Sequence, residues 1–334
     1  MRLKDLGEFG LINHLTREMR SYDASVVLGI GDDAAAFKVS GDRFILITCD
    51  MLIEGRHFLL DKIKPSDLGR KALAVNLSDI AAVGGVPRHA VVSAGWPDYV
   101  DVGYAEQVYA GIREIAGSFG VNILGGDTVR APQLVLDITV IGESARPPVT
   151  RSGARPGDVI AVTGRVGASA AGLDLLLAGH RGLLPEAVRD RLIAAHVRPV
   201  PRVREAAVLA EAGARAMIDI SDGLASEVNH ICNESGTGAV IYADRLPVDD
   251  DTRLAAEEMK QDWLRWALFG GEDYELVVAL PKAQVPAAQA ALRRMCTDFS
   301  VIGEVTERKH GVNIVLREGA VPLNSGGYDH FGRD

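Results

Sequence analysis

Two consecutive domains of α/β (mixed α+β) class are predicted by three features: the length of 334 residues, β-rich runs alternating with amphipathic ones throughout, and a Pro- and Gly-broken stretch near the middle. Single cores stop growing at roughly 250–300 residues, so a chain this long is expected to divide. In the first half the patterning predicts a strand over 44–49, a helix over 66–83, a strand over 89–94 and a helix over 102–117. Two β-rich runs follow at 121–124 and 133–141. Between 145 and 158, Ala-Arg-Pro-Pro-Val-Thr-Arg-Ser-Gly-Ala-Arg-Pro-Gly-Asp interrupts any regular element. The boundary is set there, with domains 1–148 and 149–334. Beyond it the patterning predicts a strand at 159–163 and helices at 169–178, 185–195 and 202–212. A strand at 216–220, a helix at 222–233 and strands at 239–243 and 274–280 come next. The chain closes with a helix at 284–295 and strands at 299–304 and 312–316.

Composition narrows the function. A hydrophobic fraction of 47% and a charged fraction of 24% are those of an ordinary globular protein. The net charge of −9 supplies no basic stripe for a phosphate backbone, so no nucleic-acid partner is expected. Cys49, Cys232 and Cys296 are far apart and form no C-x-x-C pair, which fits a reducing cytoplasm. No apolar run is long enough for a membrane span and the N-terminus is not patterned as a signal peptide, so a cytoplasmic protein without a membrane partner is expected.

One arrangement recurs: an apolar run ending in a small or Gly-rich corner that carries carboxylates. The instances are Gly29-Ile30-Gly31-Asp32-Asp33, Ile47-Thr48-Cys49-Asp50, Asn76-Leu77-Ser78-Asp79, Gly125-Gly126-Asp127, Ile218-Asp219-Ile220-Ser221-Asp222 and Gly270-Gly271-Glu272-Asp273. Any one of them could be a helix cap or a turn. Together they are harder to explain that way, because carboxylates beside buried elements are costly without a counter-charge and Lys or Arg at a matching spacing is mostly missing. Hard divalent cations with oxygen ligands answer that need, and Mg²⁺ shared between carboxylates and substrate phosphates is the common form. Asn76 and Asp79, three apart on a helix lined with Ala, Val, Leu and Ile, make a polar stripe on a small-residue face. There is no G-x-x-x-x-G-K-[S/T] loop, no complete dinucleotide fingerprint and no protein-kinase signature. Phosphates are therefore expected to be held by metals, glycine-rich backbone and scattered cations such as Arg130 and Arg151.

The ordered motifs at 29–35, at Asp50 through His57-Phe58, at 76–79, 125–128, 220–224 and 270–276, with Gly327-Tyr328-Asp329-His330-Phe331 near the end, resemble the thiamine-monophosphate kinase family. That family sits within the aminoimidazole ribonucleotide synthetase (PurM-like) superfamily. The resemblance implies a two-domain PurM-like fold whose N-terminal mixed sheet pairs across a homodimer, with a C-terminal α/β domain. It implies ATP as co-substrate, thiamine monophosphate as acceptor and several Mg²⁺ ions per site. Carried over by position, metal ligands fall on Asp33, Thr48, Asp50, Asp79, Asp127, Asp219 and Asp222. Cys49 stands where the family often has Thr and would offer its backbone carbonyl. ATP contacts fall on Tyr109, Gly126, Asp127, Arg151 and Ser221, and acceptor contacts on His57, Glu272 and Tyr328. No residue is expected to act as covalent nucleophile or base. Two alternatives stay open: another ATP-dependent enzyme of the superfamily, and a non-catalytic Mg²⁺-nucleotide sensor.

Overall fold

The computed structural model describes residues 7–19, 21–179 and 184–326. The N-terminal half contains α1 (Gly7–Thr16), β1 (Val26–Leu28), β2 (Ala35–Ser40), β3 (Arg43–Ile53) and α2 (Pro65–Ala82). It continues with β4 (Val86–Trp96), α3 (Val102–Phe119), β5 (Asn122–Arg130) and β6 (Val135–Ser144). The six strands form one sheet in the order β1-β2-β3-β6-β4-β5, antiparallel except for the β4–β5 pair. The C-terminal half begins with β7 (Asp158–Thr163), α4 (Ala168–Ala178), α5 (Glu186–Val197), α6 (Val203–Glu211), β8 (Ala216–Asp219) and α7 (Leu224–Ser235). After these come β9 (Thr237–Tyr242), α8 (Asp250–Met259), α9 (Trp263–Phe269), β10 (Leu276–Pro281), α10 (Val285–Arg294), β11 (Phe299–Glu307), β12 (Val312–Leu316) and β13 (Gly319–Pro322). Their strands make a second sheet, β13-β12-β9-β11-β7-β10-β8.

α2 holds the molecule together. Pro65 opens it at its first turn, where a missing N–H is harmless, and Lys64 enters in an extended conformation. Leu68, Leu73, Leu77 and Ile80 are fully buried, because the helix is apolar nearly all round and has neighbours on several sides. α3 crosses it closely: a Cβ on Gly69 would lie 1.8 Å from the Val108 carbonyl oxygen, and one on Gly111 1.8 Å from that of Ser66. One apolar cluster runs from Leu46, Leu136 and Ile138 of the first sheet through α2 to Val159, Met217 and Val278 of the second. The alternate residues Ile160, Val162, Val277 and Ala279 face a separate cluster with α7. β7, β8 and β10 are buried along almost their whole lengths, as strands covered on both faces must be.

Two of the expected corners are not corners. Asp50 lies within β3, and Gly125-Gly126-Asp127 lies within β5, where the pairing with β4 shifts register between Ala90 and Val91. Gly126 must be glycine there: its φ is 150° and a Cβ would sit 1.7 Å from the Val92 carbonyl oxygen.

Candidate active site

Four chain segments meet where the first sheet, α2 and the C-terminal end of β8 converge. Asp33 comes from the link before β2, Thr48 and Asp50 from β3, Ser78 and Asp79 from α2, and Asp219 from the last position of β8. Carboxylate oxygens of Asp33, Asp79 and Asp219 all lie within 4.8 Å of one another. Thr48 Oγ1 donates to Asp79 Oδ2 at 2.6 Å, and Ser78 Oγ to Asp219 Oδ2 at 2.5 Å, so α2 is tied to both sheets through adjacent residues. Asn76 accepts from the Asp50 backbone N–H at 2.9 Å and donates to the Ala72 carbonyl at 3.1 Å. The stripe of Asn76 and Asp79 thus faces β3.

The electrostatics are those of an acidic site lacking enough positive charge. Burial pushes the Asp219 carboxyl up to about 8, helped by Asp33, and burial with the fields of Asp50 and Asp219 raises Asp79 well above the usual carboxylate range. Arg151 offsets part of this, its Nη2 lying 2.5 Å from Asp33 Oδ1. That guanidinium is a counter-charge the sequence spacing did not reveal, and its backbone N–H also reaches Asp32 Oδ2 at 3.1 Å. Asp33 Oδ2 is buried with no hydrogen-bond partner, which is expensive for a carboxylate oxygen and makes it the kind of orphaned ligand atom a cation would satisfy. The all-oxygen donor set suits a hard divalent ion.

Beyond β8, Ser221 and Asp222 precede Gly223, which caps α7 with φ 129°. The Asp222 N–H donates to Glu227 Oε1 at 3.1 Å; Glu227 is buried on α7, and burial followed by the fields of Asp222 and Asp219 raises its carboxyl well above the usual range. Against this segment lies the link 270–275, in which Glu272 (φ 65°) and Tyr274 (φ 51°) both adopt the left-handed conformation. For non-glycine residues this costs about 1–3 kcal/mol each and persists only under strong local constraint. The constraint is visible: Glu272 N–H donates to Ser221 O at 2.7 Å, Tyr274 N–H to Ile220 O at 2.9 Å, and Asp273 accepts from the Gly167 and Ser169 N–H groups at 2.7 and 3.2 Å. The zigzag sends Glu272 toward α2, where Lys71 Nζ lies 2.8 Å from Oε1. His57, after β3, accepts from the Ile53 N–H through Nδ1 at 2.9 Å, so Nε2 carries its proton. His57 is close enough to lower the Glu272 pKa, a shift that Lys71 and then His196 dominate against the opposing effect of burial.

Other expected residues stand elsewhere. In β3 the side chains alternate, so Thr48 and Asp50 face α2 while Cys49 and Met51 face the opposite side of the sheet. The pairs Met51–Asp137, Asp137–Ser93 and Ser93–Asp127 carry that opposite face across to β5, and Asp127 lies on it. The Cys49 thiol and the Asp127 carboxylate are therefore separated from the Asp33–Asp79–Asp219 cluster within one chain. Tyr109 lines an open depression of about 530 Å³ along α3 with Val102, Ala105, Glu106 and Arg113. Arg130 is spent on a solvent-exposed pair with Asp98. Tyr328 lies outside the described residues.

Sequence reasoning missed Glu227, Tyr274, Lys71 and His196. Only Lys71 left a signal: a lone ammonium on a helix whose positions 68, 72, 74 and 75 are apolar has no exposed face to occupy.

Comparison with known proteins agrees with this architecture. Residues 31–144 match the AIR synthase related protein N-terminal domain and residues 155–315 its C-terminal domain. The chain is 40% identical to a thiamine-monophosphate kinase of Escherichia coli O157:H7 over 97% of its length and 98% of the relative's. It is 36% identical to one of Bacillus subtilis (strain 168), over 98% and 100%. A solved structure described as AaThiL complexed with AMPPCP and TMP superposes with a TM-score of 0.87 at 34% identity, covering 99% of both chains. With matches this long and at this identity, converging on one enzyme and on the two domains that carry the carboxylate cluster, the chain belongs to the thiamine-monophosphate kinase family.

Proposed function

We propose that this chain transfers the terminal phosphoryl group of ATP directly to thiamine monophosphate, giving ADP and thiamine diphosphate. The observation that carries the reading is the trio Asp33, Asp79 and Asp219, whose carboxylate oxygens crowd within 4.8 Å. A relative of the same fold complexed with AMPPCP and TMP supports the substrate pair. Mg²⁺ is the cation these donors suit, held by Asp33, Thr48, Asp50, Asp79, Asp219 and Asp222, and when bound it offsets the negative charge of the phosphates.

The side chains then have separable tasks. Arg151, anchored on Asp33, presents a cation toward the nucleotide beside Ser221. His57, with its proton on Nε2, donates to the acceptor's phosphate, and Glu272 faces the positively charged thiazolium. Tyr328 is assigned to the same acceptor. The acceptor's phosphate has a second pKa of about 6, so near neutrality it is already the dianion and no residue need remove a proton. One of its oxygens forms the new bond to the γ-phosphorus as the bond to the ADP oxygen breaks, with no phosphorylated side chain between.

We further infer a homodimer built on the first sheet. β5 is an edge strand with Leu124 61% exposed, and the sheet face turned away from α2 leaves Met51 48% and Val129 54% exposed. If Asp127 and Gly126 serve the nucleotide held by Asp50 and Asp79, they do so for the partner's site, because in one chain β5 stands three strands from β3, roughly 14 Å, and Asp127 points to the other face. Among the described residues no helix is long and apolar enough to cross a membrane. We assign the reaction to the cytoplasm, where ATP and reduced cysteines coexist.

The test is ADP release by the purified chain with thiamine monophosphate, with thiamine, and with neither, in Mg²⁺ and in EDTA. Turnover is expected only with the monophosphate and Mg²⁺. Equal ADP release without acceptor, or faster turnover with thiamine, would overturn the assignment.

A further inference from the structure

Lys71 is 1% exposed, the largest of the fully buried side chains, and it sits on an apolar helix. A buried ammonium is tolerated only where it is paired and hydrogen-bonded. Its partners all come from the other half of the chain. Glu272 Oε1 lies 2.8 Å away, and His196 Nε2, on α5, 3.4 Å away. An ammonium has no lone pair to offer, so His196 Nε2 must accept, which places the imidazole proton on Nδ1. Nδ1 lies 3.3 Å from Glu272 Oε2 and 3.1 Å from Ser169 Oγ, at the start of α4. The single Nδ1 hydrogen is engaged by Ser169 Oγ, which holds the ring with its edge against Glu272 Oε2, so Lys71 is the donor that fixes Glu272, while about a quarter of that side chain stays open to the cleft. Lys71 itself does not reach that cleft.

We propose that Lys71, braced by His196 and acting through Glu272, is a positioning residue for the acceptor site: it keeps Glu272 ionised and aimed on its left-handed link, and so sets affinity for the cationic acceptor without touching it. This rests on the assignment of Glu272 to thiamine monophosphate made above. The nucleotide side of the cleft is built from Asp33, Arg151 and Ser221, none of which contacts Lys71, so the two substrates should respond differently.

The experiment is steady-state kinetics of the full chain and of Lys71→Met, Lys71→Arg, Glu272→Gln and Lys71→Met/Glu272→Gln, varying each substrate in turn. Lys71→Met is expected to raise KM for thiamine monophosphate by about tenfold or more, the scale of a lost charged hydrogen bond, with KM for ATP within about twofold. Lys71→Arg should recover part of the loss, and the double variant should match Glu272→Gln alone, because Lys71 acts only through that carboxylate. Where the single variant does not fold, the double variant, with both buried charges removed, carries the same comparison. An unchanged KM for the acceptor, a parallel rise in both KM values, or a double variant clearly worse than Glu272→Gln would overturn the proposal. No turnover of thiamine monophosphate by the parent chain would instead overturn the functional assignment, and the role of Lys71 would fall with it.

Discussion

At the scale of single residues, the candidate site is a place where the fold accepts repulsion. Asp33, Asp79 and Asp219 would each be cheaper as neutral groups, as the upward shifts of their carboxyls under burial show. Residues retained against stability in this way mark function more reliably than residues that merely pack. Asp79→Asn therefore makes opposed predictions. The amide can still accept from Thr48 Oγ1 and relieves the like-charge contact, so in EDTA the variant should melt at or above the parent's temperature. Its turnover should fall by about a hundredfold or more, as when an electrostatic stabiliser of a charged transition state is removed, and the rise in melting temperature on adding Mg²⁺ should shrink. Paired thermal melts and ADP assays check this; a variant that melts well below the parent in EDTA would mean that Asp79 is chiefly structural. The carboxylates themselves were legible in the sequence because so many apolar runs ended in them. Their counter-charges were not, since Arg151 meets Asp33 and Lys71 meets Glu272 only through the tertiary fold.

Among the elements, most were readable in the sequence, the four-residue β8 included, whereas α1, β1, β2, α8, α9 and β13 were not. The apolar runs of α2, α3, β3 and β6 announced themselves, whereas β1 with three residues and α9 with seven are too short for a period to register. The two glycines of β5 suggested a turn by composition, but they serve close backbone approach inside a strand. Gly69 and Gly111 carry a similar meaning at the crossing of α2 and α3, where neither left a distinctive local pattern. Helix propensity favours Gly69→Ala by about 1 kcal/mol. The new methyl group would meet the Val108 carbonyl oxygen at 1.8 Å, which no rotamer change relieves because the obstacle is backbone. Overpacking typically costs about 1–3 kcal/mol, so it should win and leave a net loss of stability. Denaturant titration of Gly69→Ala and Gly111→Ala should show both destabilised. The double variant should fall short of additivity, since helices already forced apart make room for the second methyl; stabilisation of either single variant would mean that the crossing is looser than the structure places it.

For the whole molecule, the question is why residues that the family resemblance assigns to one nucleotide site stand on opposite faces of one sheet. Asp50 looks toward α2, and Asp127, on edge strand β5, looks the other way. A second copy joined through edge strand β5 would resolve the conflict. Twofold symmetry that carries β5 round the end of the partner's β3 would bring each chain's Asp127 to the nucleotide that its partner's Asp50 holds, and would cover the exposed Met51, Leu124 and Val129 in the same step. The alternative is two independent sites, with Asp127 merely capping its own strand through the Thr128 N–H that it accepts at 2.8 Å. Complementation between variants separates the two. Asp50→Asn and Asp127→Asn, each folded and each nearly inactive, are mixed after reversible dissociation. A mixed dimer with shared sites holds one site carrying both substitutions and one carrying neither, so random pairing at equal amounts should restore about a quarter of the parent's activity. Sites complete within one chain would gain nothing on mixing, because every site would keep one damaged residue. Recovery near a quarter, lost again when Leu124→Lys keeps the chains apart, would place Asp127 in its partner's site. Full inactivity of the mixture, with dimers formed, would place it in its own.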